Sequence, residues 1–257
     1  MIFLYLLPMK VKLIAYTPEP DKLASVAANT CYSSRPASRI MEKISPEKSE
    51  EIIKRVVASG HHSVIEHAVF TFSIEGVSRA LTHQLVRHRI ASYSQQSQRY
   101  VSMKKASYVV PKSISKNPEA LERYESLMAD IWDAYSALAD MGIPKEDARY
   151  LLPNACMTNI VVTMNARELL NFFKIRTCMR AQWEIRDMAN RMMAEVKKVA
   201  PVIFEKAGPT CRTEPCPEPD YDCPIRDKMD KLREKEKREE GRRRTERKKR
   251  EDMGIDG

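Results

Sequence analysis

The chain has 257 residues, 43% hydrophobic and 31% charged, long enough to bury a sizeable core as one larger domain or two small ones. Only 7 glycines and 6 phenylalanines argue against a glycine-rich nucleotide fold and an aromatic-heavy core, and six cysteines are too few for a disulfide scaffold. The net charge is +9, but the segment from Arg226 to Gly257 holds 14 Lys and Arg against 10 Asp and Glu; the body keeps 30 against 25, a modest excess that suits small anions as well as nucleic acid.

The opening Met1–Pro8 is apolar without a basic start or a small-residue cleavage site, so it makes a poor signal peptide, and Met9 is an alternative start. No run approaches the roughly 18 apolar residues of a membrane helix, and cytoplasmic residence follows. Residues 10–16 alternate as a first strand. Pro18-Glu19-Pro20-Asp21 opens a helix to about Asn29, and Ser45-Pro46-Glu47 opens another that runs to Ser59-Gly60, with Ser45 as cap and Gly60 as stop. Ala68 to Glu75 alternates as a strand that Gly76 breaks. Ser78 to Arg89 reads as a helix with Leu81 and Leu85 on its buried side, and residues 90–103 as polar and irregular. Asn117-Pro118-Glu119 starts a long helix ending near Met141-Gly142, and Ile143-Pro144 a short one reaching Tyr150. Ile160 to Met164 is a short β-branched strand, Asn165 to about Arg176 a helix, and Ala181 to about Lys206 a long amphipathic helix. Cys31, Cys156 and Cys178 fall in periodic segments as buried thiols. Cys211, Cys216 and Cys223 sit in a proline-rich stretch, at gaps that fit zinc spacing poorly, and no metal is assigned. The mixed order of elements predicts an α+β fold, an antiparallel sheet with helices packed on it, over residues 1–225. Residues 226–257 form a charged tail, disordered or a solvated single helix.

Chemistry concentrates in Gln84-Leu85-Val86-Arg87-His88-Arg89-Ile90-Ala91-Ser92-Tyr93-Ser94-Gln95-Gln96-Ser97-Gln98-Arg99-Tyr100. Three arginines and a histidine meet a Ser/Gln-rich loop with no Lys, Asp or Glu. An ordinary solvated helix end would mix in acids and lysines. Guanidinium forks bind phosphate bidentately, and Ser and Gln can read the edge of a base, so the segment predicts a nucleotide site. Gly60-His61-His62-Ser63-Val64-Ile65-Glu66-His67 invites a metal, but its spacing matches neither HExxH nor HxxEH. It reads instead as satisfied histidines at a helix start, or as a polar lip over a flat aromatic ligand with His61 and Ser63 as hydrogen-bonding groups. In Asn165-Ala166-Arg167-Glu168-Leu169-Leu170-Asn171, Asn165 caps the helix and Arg167 and Asn171 share one face; taken alone this is as well an amphipathic helix with an exposed arginine. GxGxxG, GxxxxGK[ST] and GxSxG are all absent, which disfavours Rossmann, P-loop and α/β-hydrolase enzymes. The tail mixes acids with bases, and the Arg-His-Arg segment lacks the interleaved aromatics of a stacking platform, so nucleic acid is not the expected partner.

Arg87-His88-Arg89, seven residues and then Ser97 resembles the RHR-x7-S signature of the flavin-dependent thymidylate synthases. The Gly60–His67 segment resembles the family's GHxSxxEH, and Arg149 with Leu152-Pro153, Asn165–Arg176 and Ala181–Arg186 resemble its C-terminal half, over about residues 10–210. The resemblance implies a homotetrameric mixed α/β fold, FAD as cofactor, NADPH as reductant and 5,10-methylenetetrahydrofolate as one-carbon donor in the methylation of dUMP to dTMP. It implies FAD contacts at His61, Ser63, Arg87, His88, Arg89, Gln95, Asn165, Ala166, Arg167 and Asn171. It implies dUMP contacts at Gln84, Leu85, Val86, Arg87, Gln95, Gln96, Ser97, Gln98, Arg99, Arg149 and Arg176, with Arg176 the catalytic group that favours ionisation of uracil N3. Ser97 is then a binding hydroxyl, and no cysteine nucleophile is called for. Gln95 stands where many members carry Glu, and Arg180 where some carry His, near the folate and flavin region.

Overall fold

A computed structural model describes residues 9–105, 107–218 and 220–252; the apolar opening Met1–Pro8 lies outside them, and with it the question of the start. Strand β1 (Lys10–Tyr16) leads into α1 (Pro20–Thr30), α2 (Ala37–Lys43) and α3 (Pro46–Ala58). A 3-10 turn (His62–His67) precedes β2 (Val69–Ser78), α4 (Arg79–Leu85) and β3 (Ala91–Gln95). Then come α5 (Lys112–Ser115), α6 (Pro118–Asp140), α7 (Lys145–Ala148), a 3-10 turn (Arg149–Leu151) and β4 (Met157–Asn165). The chain closes with α8 (Ala166–Arg176), α9 (Trp183–Val199), a 3-10 turn (Thr210–Arg212) and α10 (Arg226–Asp252). The strands form one antiparallel sheet in the order β1-β2-β4-β3, so the sheet-plus-helix class expected from the sequence holds.

The alternation of β2 and β4 decides where the core sits. Phe70, Phe72 and Ile74 of β2 and Ile160, Val162 and Met164 of β4 lie on one face, under α1, α3, α8 and α9. The other face carries Thr71 and Thr163, whose hydroxyls meet at 3.0 Å across the strands. Five of the six phenylalanines (Phe70, Phe72, Phe172, Phe173 and Phe204) are fully buried there, several edge-to-face at centroid distances of 5.4–6.0 Å. The expectation of a core poor in aromatics is therefore corrected: the rings are few but gathered in one place, and each pair adds about 0.5–1.5 kcal/mol beyond its burial. A second cluster, Met103, Tyr108, Met128, Trp132, Tyr135, Ala148 and Cys156, packs α6 against the chain beyond the sheet.

Several boundaries differ from expectation, each for a local reason. Gly76, at φ 69°, does not end β2 but lets it bulge between Ile74 and Val77 and pair on to Ser78. Residues 91–95 are not irregular but form β3, because the polar Ser and Gln side chains tolerate the edge that β4 leaves open. The helix after Ser78 stops at Leu85 rather than Arg89, β4 extends to Met157–Asn165, and α9 ends at Val199, before Ala200-Pro201. Helix α2 has no counterpart in the expected elements. Cys31 is exposed and Cys178 half-buried; of the three thiols expected inside, Cys156 alone is.

One buried and one half-buried polar group orient the helices at the site. Glu184, at the start of α9, accepts hydrogen bonds from the Ser78 N–H (2.8 Å) and hydroxyl (2.5 Å), while Ser78 Oγ caps α4 through Leu81 N–H. Burial raises the Glu184 pKa, and the two Ser78 bonds pull it back. Asn165 ends β4 and caps α8 by accepting from Glu168 N–H at 2.9 Å.

Candidate active site

The end of α4, the edge strand β3 and helix α8 converge on one small region. After Leu85 the chain turns through Val86 and Arg87, and Tyr93 of β3 holds that turn: its hydroxyl lies 2.9 Å from the Leu85 carbonyl and 2.7 Å from the His88 carbonyl. Burial raises the Tyr93 pKa, so the phenol stays protonated and keeps donating. The Arg-His-Arg triplet is thereby split. His88 points inward and is 6% exposed, while Arg87 and Arg89 project to solvent with no protein partner among the described residues.

His88 sits between two charged groups. Its Nδ1 lies 3.0 Å from Glu168 Oε1, its Nε2 accepts from Arg176 Nε at 3.1 Å, and its ring stands edge-on to Phe172 at 4.9 Å. Burial lowers the His88 pKa; the Glu168 hydrogen bond raises it and the Arg176 cation lowers it again, so the ring is neutral. Arg176 also donates from Nη2 to the Gln84 carbonyl at 3.3 Å, which leaves Nη1 without a protein partner among the described residues. Burial lowers the Arg176 pKa, partly offset by Tyr93, yet a guanidinium stays charged at any physiological pH.

The remaining predicted residues fall into an inner and an outer group. Gln95 turns inward, donating to the hydroxyls of Thr82 (3.1 Å) and Thr158 (3.3 Å). Gln96 is fastened to Asn159, and Gln98 reaches the Cys156 sulfur at 3.5 Å. Ser97 Oγ accepts from Arg99 N–H. Arg99 pairs with Glu146 at 2.8 Å, and Arg149 Nε donates to the Glu146 carbonyl at 3.1 Å, so α7 gathers the two arginines. Leu85 is wholly buried in the core and leaves only its backbone to face a ligand; Val86 is exposed. Ala166 is buried at the start of α8. Arg167 pairs with Glu66 at 2.6 Å, which ties the His62–His67 turn, with exposed His61 and Ser63 beside it, to the start of α8. Asn171 reaches the Glu168 carboxylate only at 3.4–3.5 Å.

Sequence reasoning missed three groups. Glu168 reads as one acid of an amphipathic helix and Tyr93 as one polar member of the Arg-His-Arg segment; the partner of neither is visible from spacing. Arg79, half-buried in α4, has its pKa lowered first by burial and again by the nearby Arg149, a like-charged neighbour that an anion would relieve. Arg180 is occupied elsewhere: it pairs with Glu218 and lies over the Tyr221 ring at 5.3 Å, beside a cleft that Cys178, Cys211, Cys216 and Cys223 all line. Among the described residues no group of three or more His, Cys, Asp or Glu side chains is arranged to hold a metal ion, and no helix is long and apolar enough to cross a membrane.

Known proteins are similar to this chain over most of its length. A family model described as thymidylate synthase complementing protein matches residues 12–202. The flavin-dependent thymidylate synthase of Geobacter sulfurreducens is 52% identical over 217 residues, 84% of this chain and 94% of that protein. Those of Clostridium tetani and Pyrococcus horikoshii are each 46% identical, over 87% and 82% of this chain and 96% and 90% of their own. The crystal structure of the UMP/dUMP methylase PolB from Streptomyces cacaoi bound with 5-Br dUMP has the same fold, with a TM-score of 0.70 at 23% identity over 77% of this chain and 93% of that one. A match that spans most of the chain and includes the Arg-His-Arg turn, β4 and α8 leaves one assignment: the chain belongs to the flavin-dependent thymidylate synthase family.

Proposed function

We propose that the chain binds FAD and reductively methylates dUMP to dTMP, with 5,10-methylenetetrahydrofolate supplying the carbon and NADPH the two electrons that take it from methylene to methyl. The observation that carries this reading is Arg176, a half-buried guanidinium held by His88 and the Gln84 carbonyl with one Nη left over. Placed beside uracil N3 and its carbonyl, that group favours the ionised ring and so raises electron density at C5, where the new bond must form.

The residues present suit the two anionic ligands. Arg87 and Arg89 are cations on a fixed turn without a partner among the described residues, and His61, Ser63, Asn165, Arg167 and Asn171 flank the adjoining end of α8, a donor set for a flavin dinucleotide. Bound there, the flavin supplies hydride transfer between NADPH and the one-carbon unit. Gln95 is already spent on Thr82 and Thr158, which suits a positioning part more than a direct ligand contact. Arg99, Arg149 and Ser97 suit a dianionic phosphate, which would displace Glu146 from Arg99. Cys156, the cysteine beside Gln98, is buried and its thiol is pushed up by that burial, so it is no nucleophile. A homotetramer belongs to the same proposal, and the molar mass of the purified protein in solution tests it.

The direct test is an absorbance spectrum followed by anaerobic addition of NADPH with and without dUMP. A yellow protein whose flavin band bleaches faster with dUMP is the expected result. A protein that neither takes up FAD nor responds to dUMP overturns the reading.

A further inference from the structure

We propose that Glu168 is a positioning residue for Arg176, acting through the tautomer of His88. The geometry leaves His88 one arrangement. Arg176 Nε–H can only donate, so His88 Nε2, 3.1 Å away, must offer a lone pair. A neutral imidazole that accepts at Nε2 carries its proton on Nδ1, and Nδ1 lies 3.0 Å from Glu168 Oε1, which accepts it. A charged imidazole would set its Nε2–H against the Arg176 Nε–H and lose that bond; the other tautomer would do the same.

The relay is built to hold that state. The His88 and Glu168 side chains are 5% and 7% exposed, so water cannot stand in for either partner. Glu168 lies in the first turn of α8, its backbone N–H on Asn165 Oδ1, where the helix favours a negative side chain. Phe172, one turn on, sets the plane of the imidazole. Helix α8 thus carries both ends of the chain, Glu168 near its start and Arg176 at its end, with His88 from the Arg-His-Arg turn bridging them. Without the carboxylate, nothing holds the proton on Nδ1, and Arg176 loses the acceptor that aims its free Nη.

This rests on the proposed role of Arg176, so the test separates the two. In the FAD-loaded full chain, dUMP affinity is read from the change in flavin absorbance for Glu168→Gln, Arg176→Lys and the double variant. Glu168→Gln is expected to weaken dUMP about tenfold or more with FAD content unchanged, since its amide can donate to Nδ1 and reverse the tautomer. If the carboxylate acts only through the guanidinium, the double variant is no weaker than Arg176→Lys to within about twofold. Multiplying losses would overturn the proposal. Should Glu168→Gln fail to fold, Glu168→Asp keeps the charge one methylene shorter and is expected to keep the native tautomer; a reversed tautomer in that variant overturns the relay. A readout independent of turnover is the NMR signal of 15N-histidine protein, with the His88 resonance assigned by loss in His88→Gln. A neutral Nδ1–H ring in the native chain and a changed tautomer in Glu168→Gln support the relay; a native ring that is charged or protonated at Nε2 overturns it. If dUMP binds no form of the protein, the functional reading falls while the tautomer still decides the relay.

Discussion

The inner and outer halves of the candidate site are held by different physics. Inside, His88, Glu168, Tyr93 and the Arg176 stem are bonded to one another in a partly dry pocket against Phe172. Outside, Arg99 pairs with Glu146 and Arg167 with Glu66 across side chains that are 40–57% exposed, and Arg87 and Arg89 pair with nothing among the described residues. Breaking a buried pair by removing one partner costs about 3–5 kcal/mol, whereas an exposed pair contributes about 0–1 kcal/mol. The contrast teaches that the group assigned to the pyrimidine is aimed before a ligand arrives. The cations assigned to phosphates are in weak pairs that an anion can replace at little cost.

That contrast can be broken or sharpened. Phe172→Ala removes the wall of the inner half and should destabilise the protein by about 3–5 kcal/mol, read from denaturant unfolding; a cost near zero would mean the pocket is not the packed unit described. Arg176→Ala should abolish detectable dTMP formation, a loss of at least about 10²–10³-fold, while FAD stays bound, read by product assay and absorbance. Native turnover in that variant would remove Arg176 from the chemistry. The third effect is one of pH. The folded His88 pKa is depressed below 6.5, so the folded and unfolded chains are equally neutral at His88 above that value. As pH falls below 6.5 the unfolded histidine takes up its proton first, and stability falls with it down to the depressed pKa. Protonation of the folded ring then breaks the Arg176 bond, so dUMP affinity should show an acid limb below the ordinary histidine range and lose it in His88→Gln. The charged groups facing this ring are Glu168 and Arg176, while Tyr93 bonds the His88 carbonyl. Smallest is Glu146→Gln, which should change stability by under about 1 kcal/mol and leave dUMP binding unchanged or tighter, because Arg99 is freed. A large loss of affinity there would show that the outer half is as fixed as the inner.

How much of this was legible in advance differs by element. The strand at 10–16, the Ser45 and Asn165 caps and the helix from Asn165 to Arg176 could be read directly, since caps and period are local properties of the chain. The motif residues Arg87 to Arg89 could be marked as chemical because an Arg-His-Arg beside Ser and Gln without acids or lysines is rare on an ordinary surface, whereas Arg176 is marked only by the resemblance to the family. What could not be read is which way each one faces. Strand β3 escaped notice because its polar sequence becomes a strand only when β4 offers an edge, and Gly76 looked like a stop until the sheet used it as a bulge. Glu168 was indistinguishable from a surface residue, since its partner lies 80 positions away and meets it only after α8 packs beside the Arg-His-Arg turn; Tyr93 gives no sign that its hydroxyl turns back 5–8 positions onto the Leu85 and His88 carbonyls. The sequence by itself determined most of the elements, though not β3 or α2, together with the family and the reactive residue types, because these depend on neighbours within a few positions. The tertiary structure alone decided that His88 turns inward between an acid and a guanidinium while the arginines on either side of it stay in solvent, because burial and long-range pairing exist only once the helices have packed.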